Sequence, residues 1–400
     1  MVKFGSEIQK SQDIFLYGFG LAGRWLSSNC DIKNNIKGFI DTDFKKVGKI
    51  HNELDCISIE TAQKLCNEDT ILIVTVVDIQ DVLPILKVIP HKKWIALGSF
   101  LDNTRVLNSD NLEESNKFIE YTLKAVEDCH KGWLNPEQLF MRSIDVVITE
   151  KCSLKCKDCS NLMQYYEAPV NITYDEIIDD FNNLMSSVDH IYEIRLIGGE
   201  PFMNKDIYKI IEYLTKCQKI TKLVIYSNAM VPIKPQYQNI LRDKKVVFAL
   251  TNYEDYAKNA KNTLRVTESL DAIGVAYRLH PPETWTDSGV IKDFKRTIDE
   301  NKKLFSDCCG KNLLTVTDGK LYRCPFAANA DRLNAVPKNN LNSVGVKASA
   351  KEITNYISKI DYLPACNWCK GRSWDSPEII PAVQTVKPIS YVKYQKSITT

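Results

Sequence analysis

Apolar and polar positions along the first hundred residues alternate in blocks that predict strands followed by helices. Short apolar runs bounded by polar turns predict strands, and the stretches between them have helical spacing. The predicted strands are Ile14–Tyr17, Ile36–Ile40, Ile71–Val77 and Trp94–Leu97, and the predicted helices include Thr61–Cys66 and Asp81–Val88. This succession predicts an α/β domain with a parallel sheet over residues 1–108.

The middle of the chain repeats the pattern after a polar stretch, residues 109–140, that predicts a helical linker. The strand candidates that follow are Ile144–Ile148, Glu193–Ile197, Lys222–Tyr226, Val246–Leu250 and Val275–Leu279. With amphipathic helices between them, they predict a second α/β domain over residues 141–304. Residues 305–375 predict a small loop-rich domain, and residues 376–400 a tail that either covers a site or is loosely ordered.

Composition and charge narrow the class of protein. Hydrophobic residues make up 44% of the chain, charged residues 26%, and the formal net charge is +2. Since acids and bases are intermixed, there is no electrostatic reason to expect a nucleic acid as partner. The apolar stretch Ile71–Leu97 is broken by charged residues and a proline, so no membrane span is predicted. The first residues lack the apolar core of a signal peptide, and we expect a cytoplasmic protein.

Thirteen cysteines require an explanation in such a chain. A disulfide framework is disfavoured in a reducing compartment, which leaves metal ligation or catalysis as the better interpretation. The scattered cysteines are interpreted as small buried hydrophobic residues. They are Cys30, Cys56, Cys66, Cys129 and Cys217. The remaining eight fall into two groups, at 152–159 and at 308–369.

The first cysteine group consists of Cys152, Cys156 and Cys159 in a loop directly after a predicted strand. Three thiolates so close together can ligate three irons of one cubane cluster and leave the fourth iron open. A structural zinc site would need a fourth Cys or His nearby. No histidine lies between His130 and His190, which disfavours zinc.

The spacing Cys-x3-Cys-x2-Cys after the first strand of a βα series resembles the radical S-adenosylmethionine (radical SAM) superfamily. Gly198-Gly199-Glu200-Pro201 follows the next strand, as the family's GGEP element does, and Ser227-Asn228 follows the third. In the family the GGEP turn holds the amino group of S-adenosylmethionine, and polar residues after the third strand face its ribose or carboxylate. The resemblance spans roughly Ile144–Leu279 and implies a partial (β/α)6 barrel.

The resemblance also implies the chemistry. A 4Fe–4S cluster on Cys152, Cys156 and Cys159 would cleave S-adenosylmethionine reductively, and the resulting radical would take a hydrogen atom from a substrate C–H bond. Electrons would come from a reductant protein such as a flavodoxin or ferredoxin. One position departs from the family, because Asp158 stands where an aromatic residue often packs near the adenine.

The second cysteine group resembles the shortened SPASM, or "twitch", module, which carries one auxiliary cluster near the substrate. Its ligands would be Cys308 or Cys309 together with Cys324, Cys366 and Cys369. Structural zinc on the same thiolates is the alternative. Four ligands leave one of the adjacent pair spare. A spare thiol could donate a hydrogen atom and give an epimerase, or serve only in packing; an auxiliary cluster that accepts an electron would give a dehydrogenase.

A glycine loop near the start has the form Gly18-x-Gly20-x-x-Gly23, after a strand and before a helix, and a second strand ends at Asp41. This arrangement matches the Rossmann-like dinucleotide fingerprint, in which the glycines face a pyrophosphate and the acid meets ribose hydroxyls. Rossmann-like domains also serve as docking or packing units. The segment is similar to N-terminal domains of sugar-modifying enzymes from bacterial surface-glycan pathways.

Three functional hypotheses follow from these patterns. The first is a radical SAM dehydrogenase or epimerase of a sugar or nucleotide sugar, since the single-cluster spacing resembles that of aminocyclitol dehydrogenases. The second is a radical SAM/SPASM peptide maturase, although many of those begin with a winged-helix domain. The third, a scaffold with structural metal, is disfavoured by the ordered motifs. Residues 277–287 are candidate substrate contacts, in which Arg278 pairs either with a substrate anion or in a surface salt bridge.

Overall fold

The computed structural model describes residues 1–8, 12–101, 112–257, 261–282, 285–373 and 376–391. It separates into two compact units, residues 1–138 and 139–400. The predicted boundary at 108–109, the first residues of the predicted linker, and residues 392–400 of the predicted tail lie outside the described residues. Among those described, no helix has the length and hydropathy needed to cross a bilayer.

The first unit is built on a six-stranded sheet in the order β3-β4-β2-β1-β5-β6. Its strands are β1 (Ile14–Tyr17), β2 (Ile36–Ile40), β3 (Ile50–His51), β4 (Leu54–Ile57), β5 (Ile71–Val74) and β6 (Lys93–Ala96). Its helices are α1 (Leu21–Ser28), α2 (Ile59–Leu65), α3 (Ile79–Leu86) and α4 (Asn116–Leu134). All neighbouring strands pair in parallel except β3, which forms an antiparallel ribbon with β4. The ribbon was not predicted, because two to four half-exposed residues carry no readable alternation.

Helix α4 differs from its prediction as part of a linker. Ile119, Leu123 and Val126 lie at helical spacing on one face, and each is fully buried in the core of the first unit. Burying three such side chains stabilises the packed helix by several kcal/mol, at about 2 kcal/mol each. The helix therefore packs in the core of the first unit.

The second unit contains an eight-stranded sheet in the order β11-β10-β9-β8-β7-β13-β14-β15. The strands that precede residue 300 are β7 (Phe140–Thr149), β8 (His190–Gly198), β9 (Ile220–Ser227), β10 (Val246–Thr251), β11 (Ala276–His280) and β12 (Trp285–Thr286). The helices that begin before it are α5 (Tyr174–Met185), α6 (Ile207–Lys216), α7 (Gln238–Leu241), α8 (Thr263–Ile273) and α9 (Ile298–Asp307). Strands β7 to β11 are parallel throughout. The predicted mixed α/β fold with parallel sheets is confirmed.

Residues 305–375 are more regular than predicted. They contain β13 (Thr315–Thr317), β14 (Lys320–Tyr322), α10 (Pro325–Arg332), β15 (Ser343–Gly345) and α11 (Ala350–Lys359), and β16 (Glu378–Ile379) follows. Strand β13 pairs in parallel with β7, so the main sheet continues into this region. Three-residue strands are too short to show a periodicity, which is why the sequence indicates loops here.

Candidate functional site

The carboxyl ends of three neighbouring parallel strands meet at one edge of the large sheet. The loop with Cys152, Cys156 and Cys159 follows β7, the turn Gly198–Pro201 follows β8, and Ser227 ends β9. In open α/β sheets, ligands bind outside the carboxyl ends of the strands. The first cysteine group and the glycine turn therefore lie side by side.

The three cysteines of the loop pack in one small cluster. The cluster also contains side chains from the loop itself, from after β9 and β10, from β12 and from the C-terminal segment. Its other members are Leu154, Met230, Tyr253, Ala257, Trp285 and Ala382. Chain segments far apart in sequence thus converge on the three thiols.

Burial governs the chemistry of these thiols. It raises the pKa of Cys156 to about 12 and also raises the pKa of Cys152 and Cys159. Metal ligation must displace these protons, which couples ligation to pH. Across the described parts of the chain, no three His, Cys, Asp or Glu side chains converge on a single metal ion. A set of three neighbouring thiols, one buried and two half-buried, each able to bind a different iron, fits the donor set of a cubane cluster.

The glycine turn after β8 is hydrogen-bonded through its backbone to the start of the cysteine loop. The Gly199 amide donates to the Thr149 carbonyl at 2.9 Å, and the Glu200 amide to the Lys151 carbonyl at 2.8 Å. A methyl group on Gly199 would overlap the Lys151 carbonyl and lie 2.9 Å from Cys152 Cβ. Glycine is therefore required there for the two segments to approach each other.

Glu200 joins the ends of β8 and β9. Its carboxylate is fully buried and accepts hydrogen bonds from Ser227 Oγ at 2.9 Å, from the Asn228 amide at 2.8 Å and from the Phe202 amide at 3.2 Å. Burial raises the pKa of Glu200 to about 7, although the three donors oppose this shift. The side chain fixes the turn that carries Ser227 and Asn228, and these two residues remain the predicted contacts for S-adenosylmethionine.

We expect the stability of the protein to fall as pH rises through 7 because of Glu200. Its folded-state pKa lies above its ordinary value of 4.5, so its contribution is complete below pH 4.5 and is lost above pH 7. The loss amounts to about 3 kcal/mol at 1.36 kcal/mol per pH unit. Glu200→Gln should unfold with a flatter pH dependence between pH 5 and 8 in thermal melts. Glu212→Gln, on the surface of α6, is the control; parallel curves for Glu200→Gln and wild type would contradict the assignment.

Asn228 lies between the turn after β9 and the cysteine loop. Its Nδ2 donates to Ser153 Oγ at 3.0 Å and lies 3.7 Å from Cys152 Sγ. Its Oδ1 accepts from the Met230 amide at 3.1 Å. The side chain is thus oriented with its N–H groups toward the cysteine loop, where they favour a thiolate at Cys152.

The second cysteine group lines one largely apolar cavity of about 60 Å³, into which Cys308, Cys324, Cys366 and Cys369 project. Cys309 is not among the described residues that line it; its backbone amide bonds the Arg372 carbonyl at 2.8 Å instead. Of the two candidates that the sequence left open, Cys308 therefore lies with the other three thiols.

Backbone amides are directed at the sulfurs of this group. The Gly310 amide donates to Cys308 Sγ at 3.3 Å, and the Gly371 amide to Cys369 Sγ at 3.3 Å. Cys324 caps the amino end of α10, where the Ala327 amide donates to its sulfur at 3.4 Å. Amide donors and a helix N-terminus both stabilise thiolates.

The cysteines of the second group are half-buried. Burial raises the pKa of Cys366 to about 11 and that of Cys369 to about 12, and it raises the pKa of Cys324 strongly. As in the first group, a metal must therefore displace protons from the thiols to bind. Four thiols with amide donors fit an auxiliary 4Fe–4S cluster. Tetrahedral zinc also takes four thiolates, but no three thiols of the described residues converge on one ion as zinc requires.

Replacing Cys308 and Cys309 separately with alanine should give different iron contents. Two 4Fe–4S clusters amount to about eight irons per chain. Because Cys308 lies in the cavity, Cys308→Ala should reduce this to about four after anaerobic reconstitution, whereas Cys309→Ala should keep all eight. Iron, zinc and sulfide analysis checks the result. Equal iron loss in both variants would contradict the assignment, and about four irons with one zinc in the wild type would favour the zinc alternative.

A buried ion pair links the cysteine loop to the helix that follows Cys324. Arg332 Nη2 at the end of α10 lies 2.6 Å from Glu150 Oε1, and the two side chains are 9% and 8% exposed. Arg332 also bonds Thr317 Oγ1 at 3.0 Å and pairs with Asp318. Both cysteine groups are therefore connected through one guanidinium group.

The predicted fingerprint of the first unit forms a tight loop. A methyl group on Gly23 would overlap the Gly18 carbonyl, while one on Gly20 would meet no atom within 4 Å. Asp41 is buried, and its oxygens accept from the Phe19 and Asp43 amides, both at 2.9 Å. The Asp41 carboxylate thus stabilises the glycine loop through hydrogen bonds. A contact between Asp41 and a ribose stays a prediction.

A cavity of about 640 Å³ adjoins this loop, in the size range of small-molecule sites. Gly20 lines it together with three cationic residues, Arg24, Lys46 and Lys49. Arg24 pairs with Glu114 at 2.6 Å, and Lys46 pairs with Asp41 at 3.3 Å. Two of the three cations are thus paired with acids of the same unit.

The predicted substrate contacts, residues 277–287, begin in β11 and are only partly gathered. Arg278 is exposed, and Asp287 forms an ion pair with Lys370 at 2.5 Å. Trp285 packs edge-on against Tyr253, with ring centroids 6.2 Å apart. Residues 283 and 284 lie outside the described residues. Tyr253 and Trp285 therefore adjoin the cysteine cluster, and Arg278 is a surface residue.

Sequence reasoning missed several residues at the first cysteine group. Tyr253 lies just after β10, so the rule that strand ends converge could have identified it. Gln384 approaches Cys156 from the C-terminal segment, and nothing in its local sequence signals this.

Comparisons with known proteins agree with part of this picture. Residues 146–296 match the family model described as "Radical SAM superfamily". Over these residues the chain therefore carries a radical SAM superfamily domain. Members of this superfamily are enzymes that use a 4Fe–4S cluster and S-adenosylmethionine. A GTP 3',8-cyclase from Clostridium acetobutylicum is 30% identical over 147 residues, which are 35% of this chain and 45% of the relative. Molybdenum cofactor biosynthesis protein 1 from Dictyostelium discoideum is 33% identical over 88 residues, 22% of this chain and 14% of the relative. The chain spans less than half the length of the curated relatives it matches.

Solved structures resemble the chain only weakly. BtrN in complex with AdoMet and 2-DOIA is 14% identical, with a TM-score of 0.40, and covers 58% of this chain and 93% of its own. Streptococcus suis SuiB bound to S-adenosylmethionine is 18% identical, with a TM-score of 0.28, and covers 46% and 41%. At these scores the likenesses carry no argument about substrate or reaction.

Proposed function

Starting from the radical SAM superfamily domain, we propose that the chain binds a 4Fe–4S cluster on Cys152, Cys156 and Cys159 and uses it to cleave S-adenosylmethionine. The observation that carries the proposal is the close approach of the glycine turn to the cysteine loop. Gly199 lies against Lys151 and Cys152 so tightly that no larger side chain fits. The proposed cluster ligands and the turn proposed to bind the cofactor are thereby held next to each other.

Each part of the site has a proposed task. The bound cluster and S-adenosylmethionine supply the radical chemistry, and the protein supplies binding, orientation and exclusion of water. Gly198 and Gly199 let the backbone of the turn approach the amino acid part of the cofactor, with Pro201 closing the turn. Glu200 orients Ser227 and Asn228. The polar groups of these two residues would bind the ribose or the carboxylate of S-adenosylmethionine.

We propose a second 4Fe–4S cluster on Cys308, Cys324, Cys366 and Cys369, supported by their common cavity and the amides directed at three of the sulfurs. Cys309 is left as the spare thiol. Burial raises its pKa, which keeps it in the S–H form that a hydrogen-atom donor requires. A Cys309→Ala variant that keeps its iron but no longer inverts a substrate carbon would favour an epimerase, and one with unchanged turnover would favour a dehydrogenase or a packing role.

For the substrate we propose a sugar or nucleotide sugar, as in bacterial surface-glycan or related biosynthesis. The glycine loop with its adjoining cavity supports a nucleotide-linked ligand, Gly20 leaving room for one and Asp41 bracing the loop. The relatives named GTP 3',8-cyclase are named for a nucleotide, but their match covers about a third of this chain and bears on the shared domain. A ribosomal peptide is the alternative substrate, and a flavodoxin or ferredoxin is the proposed electron donor.

The test is anaerobic incubation of the reconstituted protein with a reductant, S-adenosylmethionine and candidate nucleotide sugars, measuring 5′-deoxyadenosine. Turnover that depends on the sugar would support the proposal. Stimulation by peptides alone would favour the maturase. Absence of 5′-deoxyadenosine from iron-loaded protein, even in slow uncoupled turnover, would refute the radical reaction. The variant Cys159→Ala serves as the inactive control.

A further inference from the structure

A short C-terminal segment lies along the cysteine loop. The Lys157 amide donates to the Val383 carbonyl and the Thr385 amide to the Lys155 carbonyl, both at 2.7 Å. Cys156 and Gln384 form an antiparallel bridge between these two bonds. We call residues 382–385 the C-terminal strap, because the segment is held to the loop by backbone pairing on either side of Cys156.

Both the oxygen and the nitrogen of the Gln384 side-chain amide form hydrogen bonds at this bridge. Its Oε1 accepts from the Lys155 amide at 2.7 Å, and its Nε2 donates to the Ala382 carbonyl at 2.7 Å and to Cys156 Sγ at 3.3 Å. A flipped amide would place its oxygen against a carbonyl and a sulfur and its NH2 against an amide N–H. The hydrogen-bond pattern therefore fixes an N–H group on the sulfur.

The strap also shields Leu154 and Cys156 of the loop from water. Ala382 is fully buried, and it packs with Leu154 and Cys156 in the cysteine cluster. The distance from Gln384 Nε2 to Cys156 Sγ is 0.4 Å shorter than the 3.7 Å from Asn228 Nδ2 to Cys152 Sγ. The donor on Cys156 is thus the closer of these two side-chain donors.

A hydrogen bond to a thiolate ligand has a defined electronic effect. Reduction adds negative charge to a cluster and its sulfur ligands, so a donor stabilises the reduced form more than the oxidised form and raises the reduction potential. In a site shielded from water the effect is larger, because solvent does not compete for the sulfur.

We propose that Gln384 is a positioning residue that holds Cys156 and raises the reduction potential of the cluster on the first cysteine group. This inference rests on the proposed function, since it requires a cluster on Cys152, Cys156 and Cys159. It assigns a role in electron acceptance to a residue 228 positions from its partner in the chain.

The test compares two substitutions at Gln384. Gln384→Met removes the N–H donor and keeps a neutral side chain of similar length. Gln384→Glu keeps the acceptor for the Lys155 amide, removes the donor and adds a negative charge. Val386→Ala is the matched control, because Val386 lies just beyond the strap and is 92% exposed.

The measurement is a dithionite titration of the reconstituted holoprotein followed by electron paramagnetic resonance. The cluster of the first group is identified by the change of its signal when S-adenosylmethionine is added. At a fixed potential, the ratio of reduced to oxidised cluster should fall about tenfold in Gln384→Met, which is 59 mV for a one-electron couple. The fall should be larger in Gln384→Glu, and Val386→Ala should match the wild type.

Two outcomes would overturn the inference. One is a Gln384→Met protein with full iron content and an unchanged potential. The other is loss of the first cluster in both Gln384 variants, since Gln384 would then serve only in assembly. Failure of the proposed function gives a different result, namely wild-type protein whose iron signals do not respond to S-adenosylmethionine.

Discussion

Gly199→Ala is expected to prevent binding of the proposed 4Fe–4S cluster on the first cysteine group. The proposed cluster on the second group should stay in place. The added methyl group would overlap the Lys151 carbonyl and press on Cys152 Cβ, and both are parts of the cysteine loop rather than flexible side-chain ends. Relief requires the loop to move away from the turn by about 1 Å, which is enough to cost roughly 100-fold in rate at a reacting centre. Iron should fall from about eight to about four atoms per chain.

The experiment compares iron content and 5′-deoxyadenosine formation in Gly199→Ala and in a second glycine variant. Gly345→Ala is the matched control, because Gly345 ends β15 and a methyl group there has no neighbour closer than 4.0 Å. The control should keep its iron and its rate. A Gly199→Ala protein with eight irons and normal turnover would show that the tight approach of turn and loop is not needed for assembly.

The second large effect is expected for the buried ion pair between Glu150 and Arg332. Removing one member of a buried pair leaves an uncompensated charge and costs about 3–5 kcal/mol. Arg332→Met should therefore lower the melting temperature of the second unit by roughly 10 °C, at about 2–4 °C per kcal/mol for a domain of this size. Because Arg332 ends the helix that Cys324 begins, iron loading of both groups should also suffer.

A double-mutant cycle separates the pair from its surroundings. The variant Glu150→Gln/Arg332→Met should lose less than the sum of the two single losses, because no unpaired buried charge remains. The exposed pair Glu212–Lys216 provides the control, and Lys216→Met should change stability by less than about 0.5 kcal/mol. Strict additivity in the Glu150–Arg332 cycle would contradict a direct interaction.

The parts of the site that could be predicted are those encoded within a few residues of one another. The cysteine spacing, the glycine turn and the strands before them are local patterns, and the rule that parallel strand ends converge brings them together. The strand prediction Glu193–Ile197 lies inside the longer β8, His190–Gly198. Local signals of this kind identify an element more reliably than its ends.

The parts that could not be predicted depend on long-range contacts. Gln384 and Arg332 look like ordinary polar residues, and only the folded chain brings them to Cys156 and Glu150. Cys308 and Cys309 are neighbours with the same chemistry. Helix α9 ends at Asp307, directly before this pair, and only the folded chain shows that Cys308 is the one that lines the cavity.

The parallel pairing of β13 with β7 has a consequence for how such a chain can be divided. The region after residue 305 is joined to the strand that precedes the first cysteine group, at Thr315–Asp145 and Val316–Val146. A chain ending before β13 would expose one edge of β7, and an open edge invites pairing with other chains. The region after residue 305 is therefore not an independent domain that can be removed without exposing a strand of the main sheet. A gene fusion that grafts another protein's C-terminal part onto this sheet would have to supply a matching edge strand as well as the four cysteines of the proposed auxiliary site.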